Sequence, residues 1–423
     1  MTEPLRASAA GRFILVMGLV SLFGDMCYEG ARSIVGPYLA GLGASAATIG
    51  FVAGFGEALG YGLRIVSGRL SDRTRRYWTF TFLGYGVNLL AIPCLGLAPS
   101  WGAAAPLVLA ERVGKAVRSP ARSTLVSFAA SRVGVGRSFG LGEALDQAGA
   151  MAGPVLVSVV MLASAPSSPG APVPAAQASA AARAAYGPAF AALALPALVT
   201  MVLLTLAWRW FPNPWTFEPR SAGADTRTDA FPRAFWWFLA ASSLVALGFA
   251  DWALVAFHLV QTRAIAPSTV PLVYAAAMGL DGLAALWFGR AFDRRGPAVL
   301  LVGVVAGSVF APAVFLGTGE SWLAIGVAAW AVGMGAMDSV FKATVATLVP
   351  PDRRGAAFGL FFAVFGLAWW AGSAVLGMLY ARSITTLCVV SVVAQMAAVP
   401  PLLRVARLSR QPRENPTTRN ANT

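Results

Sequence analysis

A chain of 423 residues that is 57% apolar and 12% charged, with a mean hydropathy of +0.67, has far more apolar surface than a soluble domain can hide. A net charge of +14 would in a soluble protein raise nucleic acid as a partner. Here arginine placement across a membrane accounts for that charge, so nucleic acid is not an expected partner and membrane lipid is.

About twenty apolar residues cross the ~30 Å hydrocarbon core. Twelve spans are expected, at 13–39, 47–67, 77–98, 102–125, 138–163, 188–209, 234–260, 268–289, 298–317, 321–348, 357–381 and 383–403. Arginines gather in the tails and even-to-odd loops, as at Arg69, Arg73, Arg75 and Arg76 or Arg290, Arg294 and Arg295. Only Arg183, Arg263 and Arg382 fall on the other side. Positive residues stay inside, so both termini are expected in the cytoplasm of a multi-pass inner-membrane protein. No cleavable signal is evident, and span 1 is expected to insert uncleaved.

Half of the 18 acidic residues lie within these spans: Asp25, Glu29, Glu57, Glu111, Glu143, Asp146, Asp251, Asp281 and Asp338. Both lysines, Lys115 and Lys342, do too. Each charge at the bilayer centre costs ~2.5–3.5 kcal/mol on the lenient insertion scales. These groups must therefore face an interior, and a charged interior in a membrane protein is usually a pathway.

In span 1, Asp25, Glu29 and Arg32 follow i, i+4, i+7 and share a helix face, with Asp25 about 20 Å into the span. An arginine that moves relative to a buried carboxyl could load or release a proton; a static Glu29 to Arg32 pair is the plainer reading. Glu57 lies mid-span 2. Span 4 carries Glu111, Arg112, Lys115, Arg118 and Arg122, the bases forming one stripe toward the cytoplasm. Span 5 answers with Glu143 and Asp146. A network among Lys115, Arg118, Arg122, Glu143 and Asp146 could only hold the bundle together, or could equally form an anionic substrate's site; Arg118 and Arg122 could also simply snorkel.

A low-complexity Ala/Pro/Ser-rich loop is expected outside the membrane from Ser164 to Pro188, and a polar linker between Pro212 and Pro232. Span 7 places Asp251 near the repeat equivalent of Asp25 and puts His258, the single histidine, in a structural hydrogen-bonding role. Asp281 lies mid-span 8 and, like Glu57, could line the cavity. Span 10 sets Asp338 one turn before Lys342. Tyr28, Tyr61, Trp252, Tyr274, Trp287, Trp369 and Trp370 are candidates to wall a cavity. Cys27, Cys94 and Cys388 lack metal-ligand spacing and read as packing residues. No metal, no cofactor and no catalytic residue is expected, since no nucleophile and base, metal cluster or phosphate loop is legible.

The chain repeats itself. Gly68-Arg69-Leu70-Ser71-Asp72-Arg73 after span 2 recurs as Gly289-Arg290-Ala291-Phe292-Asp293-Arg294 after span 8. Gly136-Arg137-Ser138-Phe139-Gly140-Leu141 entering span 5 recurs as Gly355-Ala356-Ala357-Phe358-Gly359-Leu360 entering span 11. Duplicated six-helix halves are a mark of transporters that rock around a midplane site. The expected division is an N-terminal six-helix bundle at 1–210, a cytoplasmic linker at 211–233, a C-terminal six-helix bundle at 234–405 and a cytoplasmic tail at 406–423.

Gly68-Arg69-Leu70-Ser71-Asp72-Arg73-Thr74-Arg75-Arg76 resembles the loop 2–3 signature of the major facilitator superfamily. The glycine would permit a tight turn, Asp72 could bond the N–H groups of a neighbouring helix N-terminus, and Arg73, Arg75 and Arg76 could anchor the loop at the anionic leaflet. That resemblance implies an all-α membrane fold of 12 transmembrane helices in two pseudo-symmetric six-helix bundles, with Asp72 as a gating residue toward helix 11 and Asp293, Arg294 and Arg295 as its weaker counterpart. Gly149-Ala150-Met151-Ala152-Gly153-Pro154 looks like the helix 5 core of drug–proton antiporters. It implies a bend at Gly149, Gly153 and Pro154, although Val155 to Val159 supply no glycine after the proline. Arg112 lies where the family has its helix 4 arginine, with Arg112-Val113-Gly114 in place of the usual spacing.

The expected activity is secondary transport by alternating access, moving a small organic solute with protons, as efflux, by a monomer. Asp25, Glu29, Arg32, Glu57, Arg112, Lys115, Glu143, Asp146, Asp251, Asp338 and Lys342 are the candidates for coupling and the substrate cavity. The rival readings are a symporter or exchanger of an anionic metabolite, with Arg112 and Lys115 as the anion site, and a sensor or scaffold without turnover.

Overall fold

The computed structural model describes residues 3–133, 135–164, 177–217, 231–349 and 354–409. Most of the expected linker and the tail beyond 409 lie outside these residues, as does the loop segment 165–176. The described residues are helical almost throughout: α1 Glu3–Gly41, α2 Ala46–Thr74, α3 Tyr77–Leu95, α4 Trp101–Val133, α5 Val135–Ala163, α6 Ala178–Ala192, α7 Ala194–Trp210, α8 Arg233–Gly248, α9 Trp252–Gln261, α10 Val270–Arg295, α11 Leu300–Phe315, α12 Glu320–Ala336, α13 Lys342–Leu348, α14 Arg354–Arg382, α15 Ile384–Ala397 and α16 Val399–Leu408. Apolar side chains around each helix and no water to satisfy an open backbone leave helix as the one local solution.

Ten runs among the described residues are long and apolar enough to cross a membrane, against the twelve expected. Two places account for the difference. α4 carries Glu111, Arg112, Lys115, Arg118 and Arg122 and is too charged to qualify by composition. Val270–Phe315 forms one run of 46 residues, although Gly296 at φ +64° turns the chain between α10 and α11. A straight helix of that length would reach about 69 Å, more than twice the hydrocarbon core.

Several boundaries differ from expectation. The helix leading into span 6 starts at Ala178, so the second part of the expected outer loop is helical, and the span divides at Leu193 into α6 and α7. Span 7 divides at Phe249 to Asp251. Span 10 passes through a π-helical turn at Met337–Phe341 before α13. Gly68, Asp72 and Arg73 are not in a loop: α2 continues to Thr74, and the left-handed turn falls on Arg75, φ +55°. The tight turn expected at Gly68 is therefore corrected; Arg69, Leu70 and Arg73 favour helix, and Ser71 Oγ and Thr74 Oγ1 donate back to Gly68 O and Leu70 O, so the polar residues of this stretch are accommodated within α2. Likewise Asp293 and Arg294 lie in the last turn of α10, which ends at Arg295, and the turn is at Gly296.

Small residues bring backbones together where the charged centre needs walls. A Cβ on Gly149 would run into Leu22 O, and one on Gly153 into Met26 O, so α1 and α5 meet backbone to backbone. α5 remains a single helix through Pro154. Gly114 and Gly84 join α4 to α3 in the same way. Across the molecule Gly36 of α1 abuts Ala253 O of α9, and Gly50 and Gly54 of α2 abut Ser373 of α14.

Candidate functional site

Between α1, α2 and α4 on one side and α12, α13 and α14 on the other lies an internal chamber of about 260 Å³. Tyr28, Glu29, Arg32, Glu57 and Lys115 line it with Tyr61 and Arg64 of α2; facing them are Asp338, Lys342, Phe361, Phe362, Phe365 and Trp369. Its size lies near the low end for small-molecule sites, about 300–1,000 Å³. It shares Tyr61, Arg64, Lys342 and Phe362 with a wider opening of about 930 Å³ that leads past Ile65 and Gly68 to Arg69 and Asp72. At the opposite end, α1 and α9 close against one another at Gly36 and Ala253.

The roof of the chamber is a web of buried ions. Arg32 reaches Asp251 at 3.3 Å, Glu57 at 3.6 Å and Glu29 at 4.0 Å. Arg112 holds Glu57 at 2.8 Å and Glu111 at 3.3 Å. Glu111 also accepts from Asn88 Nδ2 at 2.7 Å, and Glu29 accepts from Tyr274 Oη at 2.5 Å. Removing one partner of such a set leaves an uncompensated buried charge, so the members hold each other in place.

Asp251 sits where it does because span 7 breaks. Its carboxylate caps α9 by accepting from Ala253 N at 3.0 Å. The carbonyls freed by the break are satisfied as well: Gly248 O accepts from Ser391 Oγ and Gln395 Nε2, and Ala250 O from Trp330 Nε1. Broken helix at membrane depth is tolerated only with such partners. Trp252 Nε1 donates to Ser33 O at 3.3 Å, fastening this break to α1. Asp25, by contrast, is in the unbroken interior of α1, so the local structures of Asp25 and Asp251 differ although the repeat brings them near one another in register.

Asp25 pairs with Arg118 at 3.5 Å, and Asp146 with Arg122 at 3.5 Å. The five-residue network expected between spans 4 and 5 thus separates into two pairs. Lys115 instead places Nζ 3.4 Å from the centroid of the Tyr28 ring and faces the chamber. Glu143 is exposed on α5 and makes no ion pair among the described residues. A buried five-member set would require α4 and α5 to face each other along their length, whereas α5 turns its small face to α1.

Of the aromatic candidates, Tyr28, Tyr61 and Trp369 line the chamber. Trp252 and Tyr274 pack behind it with ring centroids 4.7 Å apart and planes tilted by 41°, Trp287 is exposed, and Trp370 packs on Phe51 and Phe55. His258 Nδ1 meets Tyr380 Oη at 2.9 Å, a structural bond as expected. Asp72 is exposed at the mouth of the wider opening with Gly359 and Phe358 of α14. Asp293 and Arg294 border a separate surface cavity of about 750 Å³ beside α16. Arg64, Asn88 and Tyr274 were not singled out for the ionic site by sequence. Arg64 had a signal: Glu57, Tyr61 and Arg64 repeat the i, i+4, i+7 spacing of Asp25, Glu29 and Arg32.

The profile of the Major Facilitator Superfamily matches residues 14–373. The chain belongs to this superfamily. It is a multi-pass membrane protein and a secondary transporter of that fold, not an enzyme. An uncharacterized protein of Mycobacterium tuberculosis is 40% identical over 401 residues, covering 93% of this chain and 92% of that one. An uncharacterized MFS-type transporter of Methanocaldococcus jannaschii is 30% identical over 149 residues, 35% of this chain and 37% of that one. Among solved structures, a nucleoside transporter superposes with a TM-score of 0.70 at 12% identity, covering 94% of this chain and 100% of that one. A peptide transporter in complex with sulfate gives 0.70 at 14% identity over 96% and 99%. At such identities these two speak for the fold alone.

Proposed function

We propose that this chain moves a small organic anion with an aromatic or similarly apolar body across the inner membrane, with protons. Two six-helix halves, residues 1–210 and 234–405, would rock around the chamber, completing a twelve-helix arrangement with α4 and the α10/α11 turn counted. The linker at 211–233 and both termini would lie in the cytoplasm, the tail from 406 among them, and the unit would be a monomer. Asp72 and the Arg73, Arg75 and Arg76 cluster would gate the opening, with Asp293 and Arg294 as the counterpart.

One observation carries the choice of substrate class. Arg64, Lys115 and Lys342 reach the chamber without an ion pair among the described residues, whereas Asp338 is the one lining carboxylate in that condition. Arg112, first considered as an anion site, is already held by Glu57 and Glu111. A mobile carboxylate would complete the surplus cations, while Tyr61, Phe362, Phe365 and Trp369 offer faces to an apolar body. A second reading, export of an organic cation, is favoured by Asp338 and the same aromatic wall; efflux as the direction rests on the helix 5 resemblance.

Proteoliposomes loaded with protein and assayed with salicylate and with tetraphenylphosphonium separate the two. Salicylate should move, and Lys115→Gln or Lys342→Gln should lower its transport about tenfold or more, the scale of one charge-assisted contact. Movement of tetraphenylphosphonium alone, untouched by either lysine substitution but lost in Asp338→Asn, would replace the anion reading by the cation one.

A further inference from the structure

One buried acid stands apart from the ionic web. Asp281, midway along α10, is 7% exposed, is not part of the chamber lining, and has neither a hydrogen bond nor an ion pair among the described residues; its Oδ1 is buried without a partner. Every other buried carboxylate of the centre has a cation or donor within reach: Glu29, Glu57, Glu111 and Asp251 as described above. Among the helices packed on α10, α12 lays Gly335 against Asp281 O and has no charged residue beyond Glu320 at its start, and the others bring mostly acids. The charged groups acting on Asp281 are Asp338 on the π-helical turn, Glu143 on α5, and Glu29 and Arg32 on α1. Three are carboxylates, and the single cation is already engaged by Asp251 and Glu57. From the start of α9, Asp251 adds a further carboxylate, itself paired with Arg32.

A carboxylate without water or a cation is unstable in such a place, and the group relieves the cost by taking a proton. Beside it lies a contact between the two halves that a rocking motion would open. One residue from Asp281, Gly282 lies against the side chain of Gln147 on α5, and Gln147 Nε2 donates to Met278 O of α10. Parting of α5 from α10 would break this amide contact and admit water beside Asp281. We propose that Asp281 is the proton-carrying group of the transporter, neutral while α5 and α10 are closed and ionised when they part. Its aqueous proton comes from and returns to water, with no other bond made or broken. Of the residues expected to carry coupling, Glu29 and Arg112 then serve the fixed ionic web and Asp25 its pair with Arg118. This inference rests on the proton-coupled reading above, though not on the identity of the solute.

Infrared difference spectra of the purified protein in lipid, recorded across a pH step with no solute, test it directly. Wild type should show the C=O stretch of a buried carboxylic acid that is lost as pH rises. Asp281→Asn should abolish that band, and Asp281→Glu should restore it at a shifted position. In proteoliposomes, Asp281→Asn should also flatten the pH dependence of salicylate movement, and Asp281→Glu should recover it. Persistence of the acid band in Asp281→Asn, or its absence from wild type, would overturn the assignment. If the band behaves as expected while salicylate does not move in wild type, the assignment stands and the anion reading is the one that fails.

Discussion

The pair between Arg112 and Glu57 is the shortest ionic contact described, at 2.8 Å, and both side chains are largely buried. Glu57→Gln leaves the Arg112 guanidinium with Glu111 alone and removes one of the anchors of Arg32. It should lower stability by about 3–5 kcal/mol, the usual cost of breaking a buried pair from one side. Thermal unfolding in detergent should show the loss, and a double variant Glu57→Gln with Arg112→Gln should recover part of it. Equal melting of wild type and Glu57→Gln would mean that water reaches the web. Asp251→Asn is expected to be milder on the cap of α9, since asparagine caps nearly as well, yet it still loses the charge facing Arg32.

Helix packing depends on where glycine permits backbones to touch. Gly153→Leu forces a side chain into Met26 O and should cost about 1–3 kcal/mol or more of α1 to α5 packing. Gly86→Ala is the control, because nothing lies within 4 Å of a Cβ there, and alanine should add up to about 1 kcal/mol of helix propensity. Size-exclusion profiles in detergent should show Gly153→Leu aggregated and Gly86→Ala monodisperse; similar profiles for both would remove the close contact from the account. Elements also explain what the sequence withheld. The break in span 7 shows why: Gly248 ends α8, yet glycine is common inside apolar helices, and what lets the chain stay open to Asp251 is that partners on other helices satisfy the freed carbonyls of Gly248 and Ala250.

For the molecule, the chamber is closed at the Gly36 and Ala253 end and continuous with the wider opening at the arginine-rich end. Alternating access then requires α2 and α14 to separate near Ala46 and Gly377, where a Cβ on Gly377 would lie 3.2 Å from Ala47 Cα. A Cβ on Gly377 would also meet Ala46 O at 2.6 Å, so Gly377→Leu should keep this end from closing and lower transport, while Gly86→Ala leaves it unchanged. Uptake by proteoliposomes measures the difference. Undiminished transport by Gly377→Leu would leave no role for closure at this end.

By itself the sequence determined the class of solvent, the family and the list of ionisable groups that had to face inward. Apolar run length, arginine bias and the penalty for charge in hydrocarbon act residue by residue, so they can be read without coordinates. Tertiary structure alone decided which charges cancel. Arg112 and Lys115 lie on one face of one helix with similar prospects in sequence, yet one meets Glu57 and the other the ring of Tyr28. Asp281 and Glu57 likewise read as equivalent mid-span acids until neighbouring helices gave one an arginine and left the other without. Coulomb and hydrogen-bond energies in a low-dielectric interior depend on separations of a few ångströms between helices far apart in the chain, and no local pattern encodes those separations.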